Sequence, residues 1–260
     1  MPKLAANLTM LYTEHGFLDR FAAARTDGFD AVEFMFPYDF PKDQVAAALK
    51  DSGQTLVLHN LPAGDWAKGE RGIAVLPERR DEFRAGVSLA IDYAHALGCT
   101  MLNCLVGLTP KGVEAGTVRE TLLDNLRFAA SELKAADIKL LVEPVNAFDI
   151  PSFHLDTVEK AVALMDEIGA PNLFLQYDIY HRQRSGGELL ATWRRHKDRI
   201  AHIQLADNPG RNEPGTGEIN YPAIFAALDQ EGYAGVIGCE YKPRAGTSAG
   251  LEWAKGLLHG

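Results

Sequence analysis

The sequence predicts an α/β fold of the (β/α)8 type, a TIM barrel, formed as one domain over residues 1–260, and three observations lead there. The 260-residue chain is 47% hydrophobic and 23% charged, a composition that supports one large core. Short runs rich in Val, Ile, Leu and Phe alternate with longer segments of helical period, as expected when helices cross between parallel strands. Eight such runs in about 250 residues are the number a closed barrel needs.

The runs lie near residues 3–8, 30–35, 54–59, 100–105, 138–143, 172–178, 199–205 and 235–240. Each leads into a candidate helix or a loop before one. The clearest helix is 80–97, where Phe83, Val87, Leu89, Ala90, Tyr93 and Ala94 recur at three- and four-residue spacings and Gly98 ends the segment. Gly28, Gly53, Gly169 and Gly232 punctuate other helix ends. No linker, low-complexity tract or internal repeat interrupts the pattern.

A formal net charge of −9 argues against a nucleic-acid partner, because a phosphate backbone selects a basic face. The opening MPKLAANLTM lacks the pattern of a secretory signal, and no apolar run approaches the ~18 residues of a membrane span, so the expected location is cytoplasmic with no membrane partner. Cys99, Cys104 and Cys239 lie in or beside apolar runs without C-x-x-C spacing, which predicts buried, reduced thiols. Phe36 and Tyr38, read as exposed apolar side chains, are expected to line the mouth of the barrel in preference to a subunit contact; a homo-oligomer is compatible with the sequence and not specified by it.

In a barrel of this kind the reactive groups gather where strands end, so polar residues closing apolar runs are the ones to follow. Glu143 follows Ile138–Val142, Asp178 follows Leu173–Tyr177, Gln204 sits between Ile203 and Leu205, and Glu240 follows Val236–Cys239. Three carboxylates and an amide oxygen form a hard oxygen set suited to Mg2+, with Mn2+ the alternative, and neighbouring acids without a cation would force one to keep its proton. The competing explanation for each acid alone is a solvated loop carboxylate or a helix cap. His59 ends the third run and His181 lies three residues past Asp178, placing both near the mouth as substrate contacts; His202 shares the face of Gln204. Arg71 and Arg211 stand in Gly-containing loops where a guanidinium can clamp a small carboxylate, and Lys242 is a weaker candidate of the same kind. The segment 210–218 invites a phosphate-loop reading, but it lacks a G-K-[ST] ending and a strand–GxGxxG–helix context, so its glycines are assigned to tight turns.

Over nearly its full length the chain resembles the hydroxypyruvate isomerase branch of the xylose isomerase-like barrels. The resemblance is carried by ANLTMLYTEHGF and GFDAVEFMFPYDF near the start, LHNLPAGDWAKGERGIA at 58–74, EPVNAFDIPSFHL at 143–155, QYDIYHRQR at 176–184, HIQLADNPGRNEPGTGEINY at 202–221 and IGCEYKPR at 237–244. It implies that Glu143 and Glu240 exchange a proton with a small 2-oxo acid, interconverting hydroxypyruvate and tartronate semialdehyde, and that these two with Asp178 and Gln204 ring a divalent metal. Gln204 stands where the wider superfamily carries His, and Ala147 where a larger polar residue is expected. The 2-oxo-tetronate isomerases share the IGCEYKPR-like ending, and a ketose 3-epimerase would use a similar ring of residues. A zinc endonuclease of the same superfamily would need more His ligands and a basic surface. A non-catalytic sugar-acid binding protein would show binding without turnover.

Overall fold

The computed structural model describes residues 2–258. All the expected strands form, parallel throughout: β1 (Lys3–Asn7), β2 (Ala31–Glu33), β3 (Thr55–Leu56), β4 (His59–Asn60), β5 (Met101–Cys104), β6 (Lys139–Val142), β7 (Leu173–Asp178), β8 (Ile200–Leu205) and β9 (Val236–Cys239). The order is β3-β2-β1-β9-β8-β7-β6-β5-β4. Eight expected runs become nine strands because the third is shared: β3 pairs with β2, whereas β4, two residues later, pairs with β5. The barrel therefore closes within that one stretch of chain, and Val57 N–H still bonds Val32 O at 2.9 Å across the join.

Between strands run α1 (Arg20–Thr26), α2 (Lys42–Ser52), α3 (Arg80–Leu97), α4 (Ala115–Ala135), α5 (Val158–Ile168), α6 (Ile179–Ser185), α7 (Leu189–His196) and α8 (Tyr221–Gln230). Helix α3 has the bounds its sequence predicts, with Gly98 in the left-handed conformation (φ 65°) as its cap. One position on it differs from expectation. Phe83, Val87, Ala90 and Ala94 are buried, but Leu89 is 42% exposed, because six residues after Phe83 it lies ~120° around the helix from the buried stripe.

All three cysteines are free and buried. Burial pushes the thiols of Cys99 and Cys104 up to about 12, so they are inert core residues. Phe36 and Tyr38 are half-buried, in contrast to the exposed positions expected: Phe36 packs on Trp66, and Tyr38 packs on Tyr93 while donating to Asn60 O at 2.5 Å. No described helix is long and apolar enough to cross a membrane.

Candidate active site

Strand register brings the polar strand ends together: Asn7 lies beside Glu33, Asn60 beside Asn103, Asp178 beside Gln204, and Leu205 beside Cys239, just before Glu240. A cavity of about 60 Å³ opens among them, lined on its polar side by Glu143, Gln176, His181, Gln204, Arg211 and Glu240 and on its apolar side by Phe34, Trp66 and Ile150.

Three acids crowd this end of the barrel, two of them lining the cavity. Glu143, Asp178 and Glu240 are each 5% exposed or less. Burial, then the charges of Glu240 and Asp178, holds Glu143 well above the usual carboxylate range. Burial raises Asp178 too, with Arg211 opposing, and lifts Glu240 to about 8 against the same opposition. Glu143 keeps one hydrogen bond, Asn103 Nδ2 to its Oε2 at 3.1 Å. Asp178 caps α6 as a helix-start aspartate does, Oδ1 receiving the N–H groups of Tyr180 (2.7 Å) and His181 (3.2 Å), while its Oδ2 has no hydrogen-bond partner. The cap and the site role are thus divided between two oxygens of one residue.

The positive charge in the cavity is Arg211. Its guanidinium donates to Glu240 Oε2 at 2.9 Å and lies 3.9 Å from Asp178 Oδ2. Burial alone would lower this group, but Glu240, Asp178 and Glu143 together raise it, so it stays charged. The loop that carries it is folded around a carboxylate of its own: Asp207 Oδ1 accepts from Asn208 N (2.9 Å) and Ile219 N (3.1 Å), and Oδ2 from Gly215 N (2.8 Å) and Gly217 N (2.9 Å). The N–H groups of Gly215 and Gly217 are engaged by the Asp207 carboxylate and those of Arg211, Thr216 and Glu218 by backbone carbonyls, which argues against the phosphate-loop reading on physical grounds. A Cβ on Gly217 would lie 2.0 Å from Asn208 O, so close backbone approach demands glycine there. Arg211 itself is held at φ 54°, a conformation costly for a non-glycine residue, and Lys242 N–H ties its carbonyl at 2.7 Å.

His181 has a fixed tautomer. Asn146 Oδ1 accepts the N–H groups of Phe148 (3.1 Å) and Asp149 (2.9 Å), which turns its Nδ2 toward His181 Nδ1 at 2.6 Å. Nδ1 is therefore the acceptor and Nε2 carries the proton. That Nε2 lies 3.9 Å from Glu143 Oε1 and 3.7 Å from Asp178 Oδ2, too far for hydrogen bonds, leaving a gap that a ligand oxygen fits. Burial, reinforced by Arg211 and Arg184, holds the ring well below its ordinary value, so it is a neutral donor.

Glu143, Asp178 and His181 bring polar atoms within 4.8 Å of one another; with Nε2 of His181 protonated, the two carboxylates are the ones of this trio able to bind a cation. Glu240 faces Arg211 in this arrangement. Gln204 uses both amide atoms, Nε2 donating to Glu33 Oε1 (2.7 Å) and Oε1 accepting from Gln176 (2.6 Å).

The remaining expected contacts are placed differently. His59 is fully buried between Phe34 and Tyr38 and outside the cavity lining, its Nδ1 donating to Asn60 O at 3.3 Å. Arg71 stacks over Trp66 at 4.0 Å and donates to the carbonyls of Trp66 and Glu70, so it braces a wall of the cavity from behind. The side chain of Lys242 is exposed, and Ala147 is exposed as well. Asn7, Glu33, Asn103, Asn146 and Gln176 belong to the site's polar framework and were not anticipated. The signal available for the first three was the one used for Glu143: each closes or nearly closes an apolar strand.

A xylose isomerase-like TIM barrel family model matches residues 21–257. The chain is 53% identical to hydroxypyruvate isomerase of Escherichia coli over 97% of its length and 98% of that protein's. It is 46% identical to 2-oxo-tetronate isomerase of Cupriavidus necator over 99% of both. Among solved structures, one described as AP endonuclease, family 2 from Brucella melitensis superposes with a TM-score of 0.96 at 42% identity, covering all of both chains. A D-allulose 3-epimerase from Methylomonas sp. shares the fold, with a TM-score of 0.74 at 20% identity, covering 99% of this chain and 91% of its own. On sequence, strand order and the matched family model together, this chain belongs to the xylose isomerase-like TIM barrels.

Proposed function

We propose that this protein is an isomerase that interconverts hydroxypyruvate and tartronate semialdehyde, acting in the cytoplasm on a small 2-oxo acid. The observation that carries the reading is that Glu143 and Glu240 line one cavity, both held above the usual carboxylate range, with a fixed guanidinium beside them. The relatives named above support the choice of substrate.

One glutamate takes a proton from C3 of hydroxypyruvate, leaving an enediolate. The other glutamate delivers a proton to C2 while the C3 hydroxyl proton passes to the neighbouring C2 oxygen, giving the aldehyde. Carboxyl groups held above the usual carboxylate range by burial are suited to accept and release the proton in turn. Arg211 faces the substrate carboxylate and the charge that develops on oxygen, and His181 Nε2–H donates to a substrate oxygen in the gap between the acids. Proton transfer by a placed base contributes about 10²–10⁴-fold, so these donors are needed as well.

A divalent metal fits the donor set: Asp178 Oδ2 is buried without a partner, and the acids supply hard oxygens. Glu143, Asp178 and Glu240, with the remaining lone pair of Gln204 Oε1, would hold Mg2+ or Mn2+, whereas His181, protonated on Nε2, faces the ligand. Such an ion supplies Lewis-acid polarisation of the carbonyl when bound.

The test is turnover of hydroxypyruvate, followed as NADH consumed in reducing tartronate semialdehyde, for wild type and Glu240→Gln, with and without chelator. Wild-type turnover and a loss of about 10²-fold or more in the variant are expected. The 40–46% identity to 2-oxo-tetronate isomerases makes the four-carbon acid the second reading, and turnover of it without turnover of hydroxypyruvate would transfer the assignment.

A further inference from the structure

Behind the acids lies a buried polar chain whose hydrogen-bond directions follow from one backbone N–H. Asn7 Oδ1 accepts from Thr9 N at 3.1 Å, so its Nδ2 must face Glu33, where it donates to Oε1 at 2.9 Å. Glu33 Oε1 is thereby an acceptor, whatever its second oxygen does with His202 Nε2 at 2.6 Å. The atom of Gln204 that faces Oε1 must then be Nε2 (2.7 Å), which turns Gln204 Oε1 toward Gln176 and requires Nε2 of Gln176 opposite it (2.6 Å). Every amide in the chain has a single allowed orientation. The last atom in line, Gln176 Oε1, is buried with no partner, in a residue that lines the cavity.

A buried acceptor without a donor costs free energy, and sites with such an atom discriminate strongly for the ligand that supplies the missing hydrogen. Building on the isomerase reading above, we propose that Gln176 Oε1 receives the hydroxyl hydrogen of the substrate, and that Glu33 is the positioning residue that fixes this oxygen as an acceptor by way of Gln204. The polarity reaches the cavity from β2, across the barrel interior. Gly238 belongs to the same device: a Cβ there would lie 2.3 Å from Glu33 Oε2, so the carboxylate occupies the space a side chain would fill.

The test compares hydroxypyruvate with pyruvate, the same acid without its hydroxyl. For wild type, Gln176→Met, Glu33→Leu and Glu33→Gln, kcat/KM for hydroxypyruvate and the inhibition constant of pyruvate are measured. Gln176→Met lacks the acceptor and Glu33→Leu frees the two amides to turn, so each is expected to lose about tenfold or more in kcat/KM while the pyruvate constant moves less than about threefold. Glu33→Gln can place its carbonyl where Oε1 stands, so it should keep the ratio of the two constants near wild type. Thermal melts identify a variant that fails to fold, and Gln176→Met alone then decides. Equal weakening toward both acids in Gln176→Met, or an unchanged ratio, would overturn this proposal and leave the isomerase reading intact. A wild type that neither turns over hydroxypyruvate nor binds pyruvate would overturn both.

Discussion

Replacing Asp207 by Asn keeps the shape of the side chain and removes two of its four acceptor positions. In the better of the two amide orientations the oxygen stays with the buried N–H groups of Asn208 and Ile219, and the new NH2 is turned against the N–H groups of Gly215 and Gly217. A hydrogen bond to a charged acceptor contributes about 1.5–3 kcal/mol. Gly215 and Gly217 are exposed, so water can replace part of the loss, and the low end applies: about 3 kcal/mol for the pair. For a chain of this size that is a fall in Tm of roughly 6–12 °C. Because the same loop carries Arg211 in a left-handed conformation, loosening it should also lower kcat/KM by at least about tenfold, since a misplaced clamp degrades orientation at the reacting atoms. Urea unfolding gives the first quantity and steady-state kinetics the second. A variant within about 1 kcal/mol of wild type and within threefold in kcat/KM would show that the loop does not depend on its internal anion, and the reasoning would fail.

Three further outcomes follow from the geometry. Burial lowers His59 to about 4 from an ordinary 6.5, so the folded state disfavours its protonation: this contribution leaves stability unaffected above pH 6.5 and lowers it progressively as pH falls from 6.5 toward 4, by about 3 kcal/mol in all. Unfolding free energies of His59→Gln and wild type should converge at neutral pH in their slope and diverge below 6.5; parallel curves down to pH 4 would contradict the placement. Gly238→Ala pushes a methyl into a Glu33 carboxylate held by three hydrogen bonds and should cost about 1–3 kcal/mol in denaturant titrations, an effect that a wild-type-like midpoint would rule out. Nitrogen-15 spectra should find His181 protonated on Nε2 and not on Nδ1, with the opposite tautomer refuting the role given to Asn146.

The barrel was legible because its strands announce themselves as apolar runs and its helices as 3.6-residue stripes; α3 and its glycine cap match to the residue. The cluster of Glu143, Asp178, Gln204 and Glu240 at neighbouring strand ends was legible from the same rule applied to β6 through β9. Applied to the others it would also have reached Asn7, Glu33 and Asn103, and a two-residue step back from Asp178 would have placed Gln176 on the same face. What no periodicity encodes is through-space pairing: that Arg211 turns to Glu240, that Asn146 sets the tautomer of His181, that Arg71 spends its guanidinium on carbonyls behind Trp66. His59 shows the same limit from the other side. A strand end places a residue near the mouth, but with Phe34 and Tyr38 flanking it the ring turns into the wall.

The strand order bears on how this chain is made. β1 pairs on one side with β2, available within some thirty residues, and on the other only with β9, Lys3 opposite Val236 through Ala6 opposite Cys239. On the ribosome its second edge therefore stays open until nearly the whole polypeptide has emerged, at about 5–20 residues per second. An open row of amides and carbonyls invites pairing with another chain. Aggregation of nascent or C-terminally shortened chains should accordingly be governed by β1.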